Sequence, residues 1–400
     1  MLKAIKIRLY PSDDQIIYIN KLLGTSRFIY NKCLNYKITE YESKKKSTSL
    51  GETGKFLTSL KTEFQWIRES HSKVLQQSLI NLDRAYKNFF RDKKGFPKFK
   101  SKHEKQSVRF PVDAISGLNG NRINIINPLR DIHFKCSRND EKYLNKFQKG
   151  IKSGTLSKTK TGNYYFSILI DKPNKKLNTP IKSIVGLDLG IKDFVITSEG
   201  CTYKNLKSKR NNQKRLSRLH RELSRKEKGS KNRTDAKIKL AKFYEKINNR
   251  KEYYLHHVVN QLLSESQTIV IEDLNVSGML KNHKLARSIQ ELSLNRFKTI
   301  LEYKAGWYGR DVIKVSRWFP SSQLCSCCGY QNRELTLKDR TWKCPECDVV
   351  HDRDINAAIN IKNEGYKIKI GLSSPKLTLQ ESKAVVPRRM KKEIVKLLEI

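Results

Sequence analysis

The sequence predicts a multidomain α+β protein, on the basis of its length, the order of its strand-like and helix-like segments, and one cluster of cysteines. Its 400 residues correspond to two or three domains at about 150 residues each. Short β-type segments enclose two long helical stretches in the first half, and five of the eight cysteines fall within residues 325–347. We therefore expect a β domain with a helical insertion, followed by a mixed domain that carries a metal-binding module.

Proline, glycine and capping residues delimit the elements of the first half. Pro11 ends a strand-like segment, and Ser12 is placed to cap the helix that follows. A Thr-Gly-Asn turn at 161–163 precedes an apolar run, which predicts a hairpin and a buried strand. We expect a strand at 2–9, a helix at 12–41, a polar loop at 44–55 and a second helix at 56–93. A break at 94–102 and a set of short strands at 107–171 should follow.

A polar linker at 173–180 precedes a second set of elements. Apolar residues between Leu255 and Leu263 are spaced i, i+3, i+4, i+7 and i+8, which predicts a buried helical face. A short helix at 354–365 is expected to end at Gly365, and the basic tail beyond residue 372 is expected to be mobile. The remaining expected elements are a hairpin at 184–200, a strand at 268–272, a helix at 284–305 and a strand at 312–316.

The charge of the chain is its most unusual property. There are 82 Lys and Arg residues against 39 Asp and Glu, a net charge of +43, and residues 204–251 alone hold 19 basic and 4 acidic side chains. Such an excess favours a polyanionic partner, of which nucleic acid and a membrane surface are the candidates. No run of 18 apolar residues occurs, and basic residues interrupt the first ten, so we expect no membrane span or secretory signal. Clustered cysteines suit a reducing compartment, and we expect a cytoplasmic, nucleoid-associated protein.

The cysteine cluster has the spacing of a zinc site. Cys325 and Cys328 form one C-x2-C pair, and Cys344 and Cys347 form a second after a 15-residue spacer. Cys327 is an alternative ligand, but a glycine directly after Cys328 is typical of the turn in such a site. Four thiolates leave no open coordination position, so the predicted Zn²⁺ is structural.

Three acidic residues stand where predicted strands end or the last helix begins: Asp188, Glu272 and Asp354. Carboxylates from three elements can hold two divalent ions, which is the arrangement that hydrolyses phosphodiesters. Each also has a simpler interpretation, as a turn residue, an exposed strand end and a helix N-cap respectively. The order hairpin, strand, helix, strand and late helix fits an RNase H-like sheet with these acids on its first strand, fourth strand and final helix.

Several motifs resemble those of the TnpB, or OrfB, proteins of small bacterial insertion sequences, which are related to type V CRISPR effectors. The motifs are SRFIYNKCLNY (26–36), GFPKFKSK (95–102), GLDLGIKDF (186–194), LSRKEKGSKNR (223–233), IEDLNVSGM (271–279), PSSQLCSCCGY (320–330), WKCPEC (342–347) and HDRDINAAINI (351–361). The resemblance extends from residue 1 to about 365. It implies a wedge β domain at 1–10 and 105–180, with a helical recognition insertion at 11–104. A RuvC-like nuclease domain would follow at 181–320 and 350–372, interrupted by a zinc module at 321–349. Residues 373–400 would form a mobile basic tail.

The resemblance also implies roles for individual residues. Asp188, Glu272 and Asp354 would be catalytic ligands for Mg²⁺ or Mn²⁺, and the four cysteines would bind Zn²⁺. Asp273 and Asp352 are set aside, because the family pattern selects their neighbours. Basic and aromatic residues suit a heteroduplex channel, although many single basic residues fit a solvated surface equally well. The candidate nucleic-acid contacts are Arg27, Tyr30, Asn31, Lys98, Lys100, Arg221, Arg225, Lys226, Arg340 and Arg353, the last two at the scissile phosphate.

The function that these features imply is RNA-guided cleavage of DNA by a transposon-encoded endonuclease. Its expected partners are a guide RNA from the transposon, double-stranded DNA and single-stranded DNA, with no membrane. One alternative is a transposase that uses the same three acids to join DNA strands. The other is a zinc-containing DNA-binding repressor.

Overall fold

The computed structural model describes residues 2–92, 95–171, 183–336 and 338–372. The chain divides into two compact units, Met1–Pro173 and Asn174–Ile400. The predicted linker at 173–180 and the predicted tail at 373–400 lie outside the described residues. Within the described part, no helix combines the length and the apolar character needed to span a bilayer.

The first unit is built on one antiparallel sheet of seven strands. Its strands are β1 (Leu2–Tyr10), β2 (Gln106–Pro111), β3 (Ile115–Asn119), β4 (Arg122–Ile125), β5 (Ile132–Lys135), β6 (Ile151–Lys158) and β7 (Tyr164–Asp171). Its α-helices are α1 (Asp13–Lys44), α2 (Leu50–Glu63), α3 (Ser72–Asp92) and α4 (Arg138–Lys146). The strand order is β2-β6-β7-β1-β5-β4-β3. Helices α1, α2 and α3 come between β1 and β2 in the chain, and both strands belong to this sheet, so the three helices form an insertion. The predicted hairpin is confirmed, because β6 and β7 pair antiparallel.

Two predictions for the helical insertion were wrong. The predicted loop at 44–55 ends early, because Ser49 and Glu52 form a capping box and α2 begins at residue 50. The single helix predicted for 56–93 is interrupted by a 3₁₀ turn at Gln65–Glu69, which lets α3 fold back beside α2. Leu75, Leu79 and Leu82 of α3 are buried in the core of this helical group.

The second unit contains a mixed sheet of five strands and a separate two-stranded hairpin. Its strands are β8 (Ile184–Asp188), β9 (Asp193–Thr197), β10 (Thr202–Lys204), β11 (Thr268–Glu272), β12 (Asp311–Val315), β13 (Thr341–Lys343) and β14 (Val350–Asp352). Its helices are α5 (Ser208–Asn211), α6 (Gln213–Ser224), α7 (Lys231–Glu265), α8 (Val276–Met279), α9 (Ala286–Leu292), α10 (Leu294–Tyr308) and α11 (Arg353–Lys369). The sheet order is β10-β9-β8-β11-β12, with β8, β11 and β12 parallel. The carboxyl ends of these three strands therefore lie at the same edge of the sheet.

The basic segment at 204–251 forms most of a helical hairpin. Helices α6 and α7 pack through a small apolar core, which comprises Leu216, Leu219, Leu240, Phe243 and Ile247. Residues 225–230 separate these helices, and α7 then runs for 35 residues without interruption. Most of the basic side chains of the hairpin are exposed, so they create a positive surface.

Two glycines let helix α11 lie close to the sheet. A Cβ atom on Gly186 in β8 would stand 2.1 Å from the carbonyl oxygen of Ala358, and one on Gly365 would stand 2.4 Å from a methyl carbon of Val270. The prediction that Gly365 ends the last helix was therefore wrong, because α11 continues to Lys369 and uses this glycine for packing. The close approach fixes the start of α11 next to the end of β8.

We expect Gly186→Ala to destabilise the second unit by about 2 kcal/mol or more, because backbone atoms of α11 occupy the space a methyl group needs. Chemical denaturation followed by circular dichroism measures this loss. Gly306→Ala is the matched control, since nothing lies within 4 Å of its Cβ position in helix α10. Equal stability of the two variants would contradict the close packing.

Candidate active site and cysteine cluster

The structure brings the three predicted acidic residues to one edge of the five-stranded sheet. Leu187 in β8 pairs with Ile271 in β11, so the next residues, Asp188 and Glu272, emerge side by side. Helix α11 packs on β8 and places Asp354 in its first turn at the same edge. The carboxyl group of Asp188 lies close enough to both other acids for their charges to raise its pKa.

Burial makes this group of carboxylates costly in the absence of a cation. The pKa of Asp188 is raised from 3.8 to about 7, mainly by desolvation and then by the charges of Glu272 and Asp354, while the charge of Arg353 opposes the rise. Desolvation also raises the pKa of Glu272, against a hydrogen bond from Ser321. Buried carboxylates of like charge are the donor set that suits Mg²⁺ or Mn²⁺, because a divalent cation removes their repulsion.

Asp354 is held by two arginine side chains. Arg340 Nη1 lies 2.8 Å from Asp354 Oδ2, and Arg353 Nη2 lies 3.0 Å from Asp354 Oδ1. Both arginines were predicted to contact the scissile phosphate, and in this structure both bind the carboxylate instead. The side chain of Arg340 is 47% exposed and that of Arg353 is 11% exposed, so Arg340 has more freedom to change partners. Phosphate binding by either stays a prediction.

The two acidic residues that were set aside have local structural roles. The carboxylate of Asp352 caps α11 by accepting hydrogen bonds from the backbone N–H groups of Asp354 and Ile355, each at 3.0 Å. Asp273 accepts a hydrogen bond from Lys298 at 2.7 Å and one from Arg317 at 3.0 Å, and the Lys298 bond is the main reason for its lowered pKa. Both carboxylates therefore already have hydrogen-bond partners within the protein.

The four cysteines chosen by spacing form a compact cluster. Cys325 Sγ lies 3.6 Å from Cys347 Sγ, and Cys328 Sγ lies 3.5 Å from Cys344 Sγ. All four sulfur atoms lie within 4.8 Å of one another, and no other set of three or more potential ligands in the described residues is as close. The three carboxylates are therefore more widely spaced than the thiols. Cys327 is exposed and lies outside the cluster.

Two similar turns present the thiols. The N–H of Gly329 donates to the carbonyl of Cys325, and the N–H of Asp348 donates to the carbonyl of Cys344, each at 2.9 Å. Both turn residues have positive φ, of 84° and 59° respectively, which favours glycine at the first. The N–H of Cys328 also points to the sulfur of Cys325 at 3.5 Å, a contact that stabilises a thiolate. Sulfur atoms at these separations suit a tetrahedral zinc ion with bonds of about 2.3 Å.

The cluster is joined to the acidic site through a short hairpin. Arg340 immediately precedes β13, and β14 leads directly into α11 and Asp354. His351 in β14 is buried, with its Nε2 3.0 Å from the sulfur of Cys325 and its ring packed against Trp342. The position of Asp354 therefore depends on the fold of the cysteine module.

Four of the candidate nucleic-acid contacts join two segments of the first unit. The side-chain amide of Asn31 makes two hydrogen bonds to the backbone of Lys100, at 3.0 and 2.8 Å, and the ammonium of Lys100 lies 3.8 Å from the ring centre of Tyr30. Arg27 donates to Gln106 at 2.7 Å. Tyr30 is only 5% exposed, so its ring is not open to stacking on a base in this structure. The remaining candidates in the helical insertion and the basic hairpin are exposed: Lys98, Arg221, Arg225 and Lys226.

Sequence reasoning missed three polar residues next to the acidic site. Ser321 donates a hydrogen bond to the carboxylate of Glu272, and Asn356 and Asn360 bind the backbone of the segment that follows Ser321. The two asparagines lie four residues apart on the buried face of the predicted last helix, together with Glu364. Paired amides on a buried helical face are the signal that could have identified them.

Three family models match parts of the chain. A helix-turn-helix domain of OrfB from IS605 matches residues 1–46, a "Probable transposase" model of OrfB from IS605 matches residues 167–283, and a Cas12f1-like TNB domain matches residues 295–361. In the structure, the first of these ranges forms strand β1 and the single long helix α1. The third range covers nearly all of α10, strand β12, all of residues 321–349 and the first half of α11.

Two relatives match over nearly the whole chain. A protein of Streptomyces pristinaespiralis named "Putative RNA-guided DNA endonuclease" is 33% identical over 96% of this chain and 98% of its own length. InsQ of Escherichia coli strain K12, which has the same description, is 32% identical over 92% of this chain and 93% of its own length.

Solved structures with low sequence identity share the fold. Cas12f1, in a complex with a single-guide RNA and target DNA, superposes with a TM-score of 0.60 at 14% identity, covering 91% of this chain and 99% of that one. The mini-RNA-guided endonuclease Cas phi3 gives a TM-score of 0.53 at 13% identity, covering 91% and 92%. The predicted α+β class is confirmed.

Proposed function

Because the chain belongs to the TnpB (OrfB) family, we propose that it is an RNA-guided DNA endonuclease encoded by a transposable element. The observation that carries this proposal is the meeting of three carboxylates, from β8, β11 and α11, at one edge of the second sheet. The fold likeness to Cas12f1 and the descriptions of both relatives support the same activity.

We assign the nuclease site to the second unit. Its sheet order places the first strand, β8, between β9 and β11, as an RNase H-like or RuvC-like domain requires. Asp188, Glu272 and Asp354 would hold Mg²⁺ or Mn²⁺, which when bound lowers the pKa of water and neutralises charge at a phosphodiester. Asp354 would then exchange its bond to Arg340, which leaves that exposed guanidinium available for a phosphate oxygen.

Other parts of the chain are assigned to nucleic-acid binding and to support of the nuclease site. The net charge of +43 suits a long guide RNA and its duplex with DNA, in which base pairing reads the sequence. We assign the wedge role to the first sheet, the recognition role to helices α1, α2 and α3, and the zinc-binding role to residues 321–349. Cys325, Cys328, Cys344 and Cys347 would bind one structural Zn²⁺.

Cleavage by the purified protein tests the proposed function. With Mg²⁺, the RNA of its own element and a matching target, we expect cuts only at DNA complementary to the guide. Changing the guide sequence should move the cut, because base pairing selects the target. Omitting the RNA should abolish site selection and leave salt-sensitive, indiscriminate DNA binding.

The same assay separates the two alternatives. Products in which DNA strands are joined would identify a strand-transferring transposase. Full biological activity of variants that lack Asp188, Glu272 or Asp354 would identify a repressor. A protein free of RNA that still cut one defined sequence would contradict guiding altogether.

A further inference from the structure

The carboxylate of Glu272 is oriented by a hydroxyl group from a distant part of the chain. Ser321 Oγ donates to Glu272 Oε1 at 2.5 Å, across 49 residues of sequence. Ser321 is 7% exposed, so water does not readily replace this bond. Of the two causes that move the pKa of Glu272, this hydrogen bond is the one that favours the ionised form.

Ser321 is itself fixed by helix α11. Its carbonyl oxygen accepts a hydrogen bond at 2.8 Å from the side-chain amide of Asn360, which also donates to the carbonyl of Leu324 at 2.7 Å. Asn356 donates to the same Leu324 carbonyl at 2.6 Å and accepts from the backbone N–H of Ser326 at 2.9 Å. The segment 321–326 is therefore bound to α11 by four hydrogen bonds, all made by two asparagines.

These asparagines are placed where their bonds are strong and specific. Asn356 is 1% exposed and Asn360 is 6% exposed, so each amide depends on its protein partners. They lie four residues apart and hence on one face of α11, whose first turn holds Asp354. Segment 321–326 thus connects the strand that holds Glu272 to the helix that holds Asp354.

We propose that Ser321 is a positioning residue for the metal site, and that Asn356 and Asn360 hold it in place. This inference rests on the proposed function, because it assumes that Glu272 binds a divalent ion. The Ser321 hydroxyl donates a hydrogen bond to one lone pair of Glu272 Oε1 and so fixes the rotation of the carboxylate. Oε2 and the second lone pair of Oε1 are then held in one orientation for a metal ion. Cys325 lies within the same segment, so the cysteine module is coupled to Glu272 as well as to Asp354.

A pair of variants of equal shape tests the hydroxyl. Ser321→Thr keeps a donor and Ser321→Val does not, whereas both add the same bulk. In the complete protein–RNA complex, we expect the valine variant to bind Mn²⁺ about 10- to 100-fold more weakly than the threonine variant, measured by electron paramagnetic resonance. Half-saturation of cleavage by Mg²⁺ should rise by a similar factor, while zinc content and target binding stay equal.

Further variants complete the test. Ser322→Ala is the neighbouring control and should match the unmodified protein. In a Glu272→Ala background, the threonine and valine variants should bind Mn²⁺ equally, because the carboxylate that the hydroxyl positions has been removed. Equal Mn²⁺ affinity of the two in the presence of Glu272 would overturn the inference and leave the nuclease assignment intact. Cleavage that survives Glu272→Ala would instead overturn the proposed function.

Discussion

Asp188→Asn is expected to abolish DNA cleavage and, at the same time, to stabilise the metal-free protein. The carboxyl group of Asp188 is desolvated and lies near the charges of Glu272 and Asp354, which together raise its pKa from 3.8 to about 7. An amide of the same shape removes the charge without changing the packing. The loss of a metal ligand should lower the cleavage rate by several orders of magnitude, whereas the fold is relieved of desolvation and repulsion that together outweigh the attraction of Arg353.

The pH dependence of this stabilisation has a defined sign. A carboxyl group whose folded-state pKa is raised does not weaken the fold at pH values below its unfolded pKa, where it is protonated in both states. Its cost grows as the pH rises from 3.8 toward 7 and reaches roughly 4 kcal/mol above that value. Asp188→Asn should therefore raise the melting temperature of the metal-free protein at pH 8, and the difference should vanish near pH 4.

Thermal melting with and without Mg²⁺ checks both parts of the prediction. Mg²⁺ should raise the melting temperature of the unmodified protein and have little effect on Asp188→Asn. Asp354→Asn should also lose cleavage but gain no stability, because its carboxylate is bound by Arg340 and Arg353. Glu199→Gln, at an exposed turn after β9, is the control. Substantial Mg²⁺-dependent cutting by Asp188→Asn would exclude this residue as a metal ligand.

The meeting of the three acids was predictable because each follows a simple local pattern. Apolar runs end at Asp188 and Glu272, and parallel strands bring their ends to one edge. The cysteine cluster was equally predictable, because ligand spacing is a property of the sequence alone. The helix break at Phe64 had no comparable signal, because apolar periodicity continues across it.

The contacts that orient these groups were not predictable from one sequence. Ser321 and Glu272 are 49 residues apart, and Arg340 and Asp354 are 14 residues apart, so no helical or strand period connects either pair. Gly365 shows a different limit: glycine is typical of helix ends, and only the packing against β11 reveals that it serves a close approach. Local rules placed the carboxylates, and tertiary hydrogen bonds set their directions.

Cys344→Ser is expected to release the metal and to disable the nuclease, whereas Cys327→Ser should retain both metal and activity. Cys344 is fully buried and its sulfur lies 3.5 Å from that of Cys328, whereas Cys327 is exposed and outside the cluster. A closed four-thiolate site supplies folding energy to a small module, so the loss of one ligand should unfold much of residues 321–349. The unmodified protein should contain about one Zn²⁺ per chain.

The effect should reach the acidic site through two covalent connections. Arg340 lies directly before the hairpin β13–β14, and Asp354 lies two residues after it. Ser321 is four residues before Cys325, the first thiol of the cluster. Unfolding of the module therefore removes the partners of both Asp354 and Glu272, and cleavage should fall by at least about 100-fold. Zinc content measured by mass spectrometry, beside cleavage and target binding, distinguishes the outcomes. Equal metal loss in Cys327→Ser would mean that this thiol, and not its neighbour Cys328, belongs to the site.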